Sequence, residues 1–220
     1  MTDTHRLIEQ LAARAAPVKR LASPLRRTFF WVAMAAIIVV GIVVVHGPRP
    51  DWLQALSVPS AAIEWGASVL TGLLAAYAAF QVSVPGRSPS WAWLPLPAAL
   101  LWLSGIGLGC LRDFRRIGAD AFAFEGGSWE CAWAISLTSL PLVLLLLLMV
   151  RHAGVVRPGP TALLTALSAA ALSAAGVSLI HKGENALMVL LWHAGAVLVL
   201  SAGSWLMGRQ LFSWIGYARR

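Results

Sequence analysis

The segment LVLLLLLMV, at residues 142–150, is the clearest indicator of the fold class of this chain. It completes a mainly apolar run over residues 131–150, and a helix needs about 20 such residues to cross about 30 Å of hydrocarbon. The segment lacks the alternation of apolar and polar residues that marks a membrane barrel strand. A lipid-facing backbone must satisfy its own hydrogen bonds, which a helix does. The segment therefore predicts a transmembrane helix.

The composition of the whole chain indicates a membrane protein. Of 220 residues, 59% are apolar and 12% are charged, whereas a soluble domain has about 25% charged residues. A disordered chain would be poor in apolar residues and rich in charge. Two cysteines are too few for a disulfide-dense scaffold or a four-cysteine zinc site. These numbers exclude most soluble enzyme classes.

Five further stretches, on both sides of this run, are long and apolar enough to span a membrane. We therefore predict an all-α integral membrane protein with six transmembrane helices in residues 28–208, between tails at 1–27 and 209–220. The predicted spans are 28–46, 61–84, 91–111, 131–150, 161–180 and 186–208.

Basic residues predict the orientation, because Lys and Arg concentrate in cytoplasmic loops. Twelve of the seventeen Lys and Arg residues fall in the two tails and the second and fourth loops. Both termini are therefore predicted to be cytoplasmic, N-in and C-in, in a bacterial inner membrane. This placement explains the net charge of +8 as a topology signal and an attraction to membrane lipids, so direct nucleic-acid binding is not expected.

Small and aromatic residues predict how the spans pack. Alanine and serine in span 161–180 favour an interior helix, because small residues let helices approach closely in lipid. Gly195 and Gly203 lie on one face of the last span and suggest a second such contact. Trp31 falls near the inner boundary, where an aromatic belt is expected.

The N-terminal tail has the pattern of an amphipathic helix. Its apolar residues recur at helical intervals between basic ones. Such a helix either lies on the membrane surface or docks a cytoplasmic partner through its apolar face. The predicted partner-binding residues are Leu7, Ile8, Leu11, Arg14, Val18, Lys19, Arg20 and Leu21.

Catalytic motifs are missing from the sequence, which contains no phosphate loop, nucleophile elbow, HExxH helix or dinucleotide fingerprint. We therefore expect no enzyme activity, no cofactor and no small-molecule substrate. Glu64 and His193 are the ionisable residues within the spans that a transporter or a metal or solute permease would use. That function is the alternative, although both residues also fit structural roles.

Cys110 and Cys131 flank the longest loop, on the predicted outer side. They could form a disulfide there, because the outside of a bacterial inner membrane favours oxidation, or each could be a small apolar helix residue. Glu130, Cys131 and His181 could also approach one another, and cysteine with histidine suits a soft metal. The sequence leaves these alternatives open.

The order of these features resembles the NrsF family of six-span membrane proteins, negative regulators of an extracytoplasmic-function sigma factor. The similarity covers nearly the whole chain. It rests on the tail segments LIEQLA at 7–12, PVKRL at 17–21 and PLRR at 24–27, on WECA at 129–132, and on Pro141, Arg151, His181 and Trp192.

The resemblance implies a membrane-bound anti-sigma factor. Its cytoplasmic parts would hold the sigma factor at the inner membrane and release it on envelope-side oxidative or heavy-metal stress. Cys131 matches the first sensor cysteine of such proteins, whereas Lys182 occupies the position expected for the second. Either Cys110 is then the partner of Cys131 or this chain senses a different signal.

Overall fold

The computed structural model describes residues 2–13, 21–122, 129–180 and 189–215, and all regular structure within these ranges is helical. The prediction of an all-α protein is confirmed for this part of the chain. The α-helices are α1 (Thr2–Ala13), α2 (Pro24–His46), α3 (Trp52–Ser57), α4 (Pro59–Val82), α5 (Leu96–Ile117), α6 (Trp129–Val150), α7 (Pro158–Val177), α8 (Gly195–Leu206) and α9 (Gly208–Trp214). Short 3-10 helices cover Pro89–Trp93, Gly118–Phe122 and Arg151–Ala153, and a π-helical turn covers Leu190–Ala194.

Five of these helical segments are long and apolar enough to cross a membrane. They are Pro24–His46, Pro59–Val82, Pro89–Asp120, Ala132–Val150 and Pro158–Val177. A sixth span exists if Leu190–Leu206 and Gly208–Trp214, which meet at an angle of 69°, count as one. The described residues thus contain five to six candidate spans.

Local sequence signals explain where α2 begins. Ser23 caps the helix, because its side chain accepts a hydrogen bond from the Arg26 backbone at 3.4 Å. Pro24 follows at the first helical position, where its missing N–H costs nothing. The helix therefore begins four residues before the predicted start of the first span, at residue 28.

The centre of the bundle is the pair α4 and α7, which pack through small side chains. Three side chains donate hydrogen bonds across the pair to backbone carbonyls: Ser168 to Gly72 at 2.5 Å, Ser68 to Ala171 at 2.9 Å and Trp65 to Ala175 at 3.0 Å. Fourteen residues of α7 are buried, which agrees with the predicted interior position of this alanine-rich helix.

We call the end of the bundle where α2 begins and α6 ends the tail end, and the opposite end the far end. α6 contributes to the hydrophobic core along most of its length. Leu142, Leu146 and Val150 belong to a cluster with Trp31 and Phe80, whereas Ile135 belongs to a second cluster with Trp102. A single helix therefore links the two clusters.

Close backbone packing fixes the bend between α8 and α9. A Cβ atom on Gly208 would lie 2.7 Å from the Pro158 carbonyl oxygen and 2.8 Å from Gly159 Cα, at the start of α7. Among the residues that the structure describes, no atom lies within 4 Å of such a Cβ position at Gly195 or Gly203. The predicted packing role of these two glycines is therefore wrong for the described part of the chain.

α5 is longer than its predicted span, 91–111. It continues to Ile117 and carries charged residues that were expected to lie in a loop. Arg112 contacts the Ser60 hydroxyl at 3.4 Å, and Asp113 pairs with Arg116 at 3.9 Å on the next turn. The far end of the bundle thus carries a helical extension of about 9 Å, given six residues at about 1.5 Å each.

Candidate functional site

α1 is the first part of the candidate partner-binding segment. Its described side chains, from Thr4 to Ala13, are all exposed. Leu7, Ile8 and Leu11 are 55%, 57% and 63% exposed, and their spacing places them on one face of the helix. We call these three residues the apolar stripe. Large apolar side chains left uncovered along one helix face are typical of a binding surface.

The predicted amphipathic helix is described from Thr2 to Ala13. Leu21 is exposed but lies outside any helix, so placing it on the α1 face was wrong. Arg14, Val18, Lys19 and Arg20 lie outside the described residues, and their binding role stays a prediction.

Arg27 lies at the junction of this segment with the bundle, where the sequence predicts no more than a cytoplasmic charge. The side chain is buried, with 7% exposure. Its Nη2 donates a hydrogen bond to the Met149 carbonyl at 2.6 Å, and its guanidinium carbon lies 4.6 Å from the centre of the Phe80 ring. Nη1 is also buried and has no acceptor among the described residues.

Trp31 follows one turn later and makes a second contact with α6. It is fully buried, and its Nε1 donates to the Leu142 carbonyl at 3.4 Å. The prediction that Trp31 belongs to an interfacial aromatic belt is therefore wrong. Its amphipathic ring satisfies its N–H group inside the bundle instead of at the lipid headgroups.

Four exposed arginines of the bundle lie at the tail end. Arg26, Arg87, Arg151 and Arg209 all have exposed side chains there. Arg157 also lies at this end and donates to the Arg87 carbonyl at 3.0 Å, which joins two loops. The tail end therefore presents positive charge next to α2, from which the N-terminal segment extends.

The predicted sensor residues lie towards the far end. Cys110 is a free, half-buried thiol on α5, and the helix continues for seven residues beyond it. Glu130 and Cys131 lie in the first turn of α6, but their side chains and the whole of His181 fall outside the described residues. A meeting of Cys110, Glu130, Cys131 and His181 therefore stays a prediction.

The two residues of the permease alternative lie on different elements. Glu64 on α4 is half-buried and packs against Gly105, where an added Cβ atom would lie 3.4 Å from Glu64 Cβ. His193 is 6% exposed and lies on the π-helical turn. Among the described residues, no group of three or more His, Cys, Asp or Glu side chains is placed to hold a metal ion.

Comparison with known proteins identifies one family. The family described as "NrsF: Negative regulator of sigma F" matches residues 11–214. This match begins within the apolar stripe and includes α2 to α9, so Leu7 and Ile8 precede it. No curated protein and no solved structure matches the chain. Because the match covers nearly the whole chain, the protein belongs to the NrsF family, the negative regulators of sigma F.

Proposed function

We propose that this protein is a membrane-bound anti-sigma factor, without enzyme activity or cofactor, in the bacterial inner membrane. The family description implies negative regulation of a sigma factor. The five to six apolar helices support a membrane anchor. We assign the partner to the extracytoplasmic-function class and place both termini in the cytoplasm, where a sigma factor meets RNA polymerase.

The observation that carries this proposal is the apolar stripe on a helix attached to the start of α2. An amphipathic helix can lie in a hydrophobic groove of a partner, with anchors at positions such as i and i+4. Leu7 and Leu11 have this spacing, and Ile8 extends the same face. The sigma factor would supply the groove and cover side chains that now face water.

The size of the stripe limits its binding energy. Burying three aliphatic side chains contributes about 1.5–3 kcal/mol each, and association entropy offsets a large part of the sum. The stripe alone therefore supports weak binding. We propose that Arg14, Lys19, Arg20 and, at the tail end, Arg87, Arg151 and Arg209 add contacts to an acidic surface of the same partner.

Membrane lipids are the second proposed partner. We propose that Arg87, Arg151 and Arg209 at the tail end meet anionic headgroups of the inner leaflet, on the side where the distribution of basic residues predicts the cytoplasm. Each such residue contributes about 1 kcal/mol near an anionic surface. These contacts would hold the sigma-binding segment close to the membrane.

Release of the sigma factor would begin at the far end, on the envelope side. We propose that Cys131, with Cys110, Glu130 and His181, senses an oxidant or a heavy metal. Thiolates are the common target of both signals, because they are nucleophilic and bind soft metals. The position of Cys131 in the first turn of α6 supports this role, since α6 reaches from there to the tail end.

The test replaces two residues of the apolar stripe, Leu7→Asp with Leu11→Asp, in the full chain. A matched control, Gln10→Asp with Ala13→Asp, adds the same two charges to α1 at positions outside the apolar stripe. The measurement is co-purification of the partner sigma factor, which we expect to be an extracytoplasmic-function protein encoded beside this gene, from membranes with equal amounts of each variant. We expect the stripe variant to lose capture and the control to keep it. Equal capture by both would overturn the role of the stripe.

A further inference from the structure

Arg27 occupies an unusual place for a cation, at the point where the N-terminal segment enters the bundle. Its guanidinium is removed from water between α4 and α6 and contacts both, through Phe80 and the Met149 carbonyl. A charged hydrogen bond of 2.6 Å is among the stronger ones in proteins. The Arg27 backbone also bonds to the Ser23 carbonyl at 3.1 Å, which ties the guanidinium contact to the residue that caps α2.

The buried side chains of α2 lie between the tail end and the middle of the helix. They are Arg27, Thr28, Trp31 and Ala35. Further along, Val39 packs closely against Gly176 of α7, and an apolar cavity of about 340 Å³ lies beside α2, lined by Val39, Val43, Trp65 and Leu172. The contacts of Arg27 and Trp31 with α6 therefore help to position the start of α2 in the bundle.

α6 connects these contacts to the far end. Met149 and Leu142, whose carbonyls accept from Arg27 and Trp31, lie on the same helix as Cys131. The distance from Cys131 to Met149 along the axis is about 27 Å, at about 1.5 Å per residue. α6 packs in both core clusters and has Pro141 within it, so it is the element that would carry a shift of its first turn to the Met149 carbonyl.

We propose that Arg27 is a positioning residue that couples α6 to the sigma-binding segment, an inference that rests on the proposed function. When α6 shifts, the Met149 carbonyl leaves Arg27 Nη2 and a buried guanidinium loses its acceptor. A buried cation without an acceptor is strongly unfavourable, so the start of α2 moves with the segment attached to it. Among the described residues, Arg27 Nη1 already lacks an acceptor. This lowers the free-energy difference between the present arrangement of the start of α2 and a second one.

The experiment compares Arg27→Met with Arg26→Met in the full chain. Methionine keeps a long side chain at position 27 but removes the charge and the donors. Arg26 is the exposed neighbour and serves as the matched control for loss of one charge. A third variant, Arg27→Lys, keeps the charge and can donate one bond to the Met149 carbonyl. Each is measured by transcription from a sigma-dependent reporter, before and after addition of hydrogen peroxide or Cd²⁺, at equal membrane levels of protein.

We expect Arg27→Met to raise transcription before induction by about tenfold, the factor by which one charged hydrogen bond shifts a two-state equilibrium. Its further response to the inducer should be small, Arg27→Lys should be intermediate, and Arg26→Met should match the unaltered protein. If Arg27→Met does not accumulate in the membrane, the reporter level of Arg27→Lys is compared with that of Arg26→Met instead. Equal levels in these two variants would then contradict the coupling role of Arg27.

Hydrogen exchange of the purified full chain tests the coupling role of Arg27 separately from the proposed anti-sigma function, because the measurement needs no sigma factor. We expect faster exchange in residues 24–31 of Arg27→Met than in the unaltered protein. The coupling role would be overturned if Arg27→Met showed unchanged exchange and the same reporter level as Arg26→Met, in an experiment in which the unaltered protein represses the reporter. An unaltered protein that does not repress would instead overturn the proposed function, and with it this inference.

Discussion

Gly208 provides a direct test of how α9 packs against the start of α7, because its nearest neighbours there are backbone atoms. The change is Gly208→Ala, which adds one methyl group. That methyl would lie 2.7 Å from the Pro158 carbonyl oxygen and 2.8 Å from Gly159 Cα, distances that real Cβ atoms do not tolerate. Backbone atoms cannot rotate away, so α9 or the start of α7 must move. Overpacking of this kind costs about 1–3 kcal/mol.

Gly203→Ala is the matched control, since it makes the same chemical change on the preceding helix, α8. The added methyl at Gly203 meets no atom within 4 Å. Alanine in a helix interior is more favourable than glycine by about 1 kcal/mol, so this control should be neutral or slightly stabilising. The pair thus separates steric conflict from a general effect of replacing glycine.

The assay is thermal unfolding of the detergent-solubilised protein, followed by the loss of the monodisperse peak in size-exclusion chromatography. A change of about 1 kcal/mol shifts the midpoint of a chain of this size by about 2–4 °C. We expect Gly208→Ala to lower the midpoint by about 2–12 °C and Gly203→Ala to leave it unchanged or raise it. An unfolding midpoint for Gly208→Ala at or above that of Gly203→Ala would refute the close contact between Gly208 and the start of α7.

Three further predictions concern the central helix pair, the sensor residues and the topology. Ser168→Ala removes the hydrogen bond to the Gly72 carbonyl and should destabilise the protein by about 0.6–1.7 kcal/mol in the same unfolding assay. Its control, Ser136→Ala, loses a hydrogen bond within α6 and should change the unfolding midpoint less. Cys131→Ser should abolish induction of the sigma-dependent reporter by hydrogen peroxide or Cd²⁺. Cys110→Ser should do so only if the two thiols act together. Full induction of the reporter in cells with Cys131→Ser would contradict the sensor assignment. A green fluorescent protein fused to either terminus should fluoresce in cells, because both termini are predicted to be cytoplasmic, and a dark, stably inserted fusion at either end would reverse that orientation.

The apolar runs predicted the helices well because span length is set by membrane thickness. Segment 142–150 indeed belongs to a long apolar helix, α6, and the small residues of span 161–180 predicted its central position. Helix starts were less accurate. The start of α2 depends on the Ser23 cap and Pro24, which are local signals that an apolar window does not include.

Contacts between distant parts of the chain explain what the sequence did not predict. Arg27 and Trp31 look like an inner-boundary charge and an interfacial aromatic, because their acceptors, Met149 and Leu142, are 122 and 111 residues away. The glycine pattern in α8 suggested packing at Gly203, but the close approach occurs at Gly208. Which face of a helix meets a neighbour depends on the arrangement of all the helices, which periodicity within one helix does not specify.

The central claim is that this chain holds a sigma factor at the membrane. The direct measurement is the distribution of the partner sigma factor, which we expect to be encoded beside this gene, between membrane and soluble fractions in unstressed cells with and without this protein. We predict that the sigma factor sediments with membranes only when the protein is present. A sigma factor that stays soluble in both strains, while this protein is found in the membrane, would contradict the claim.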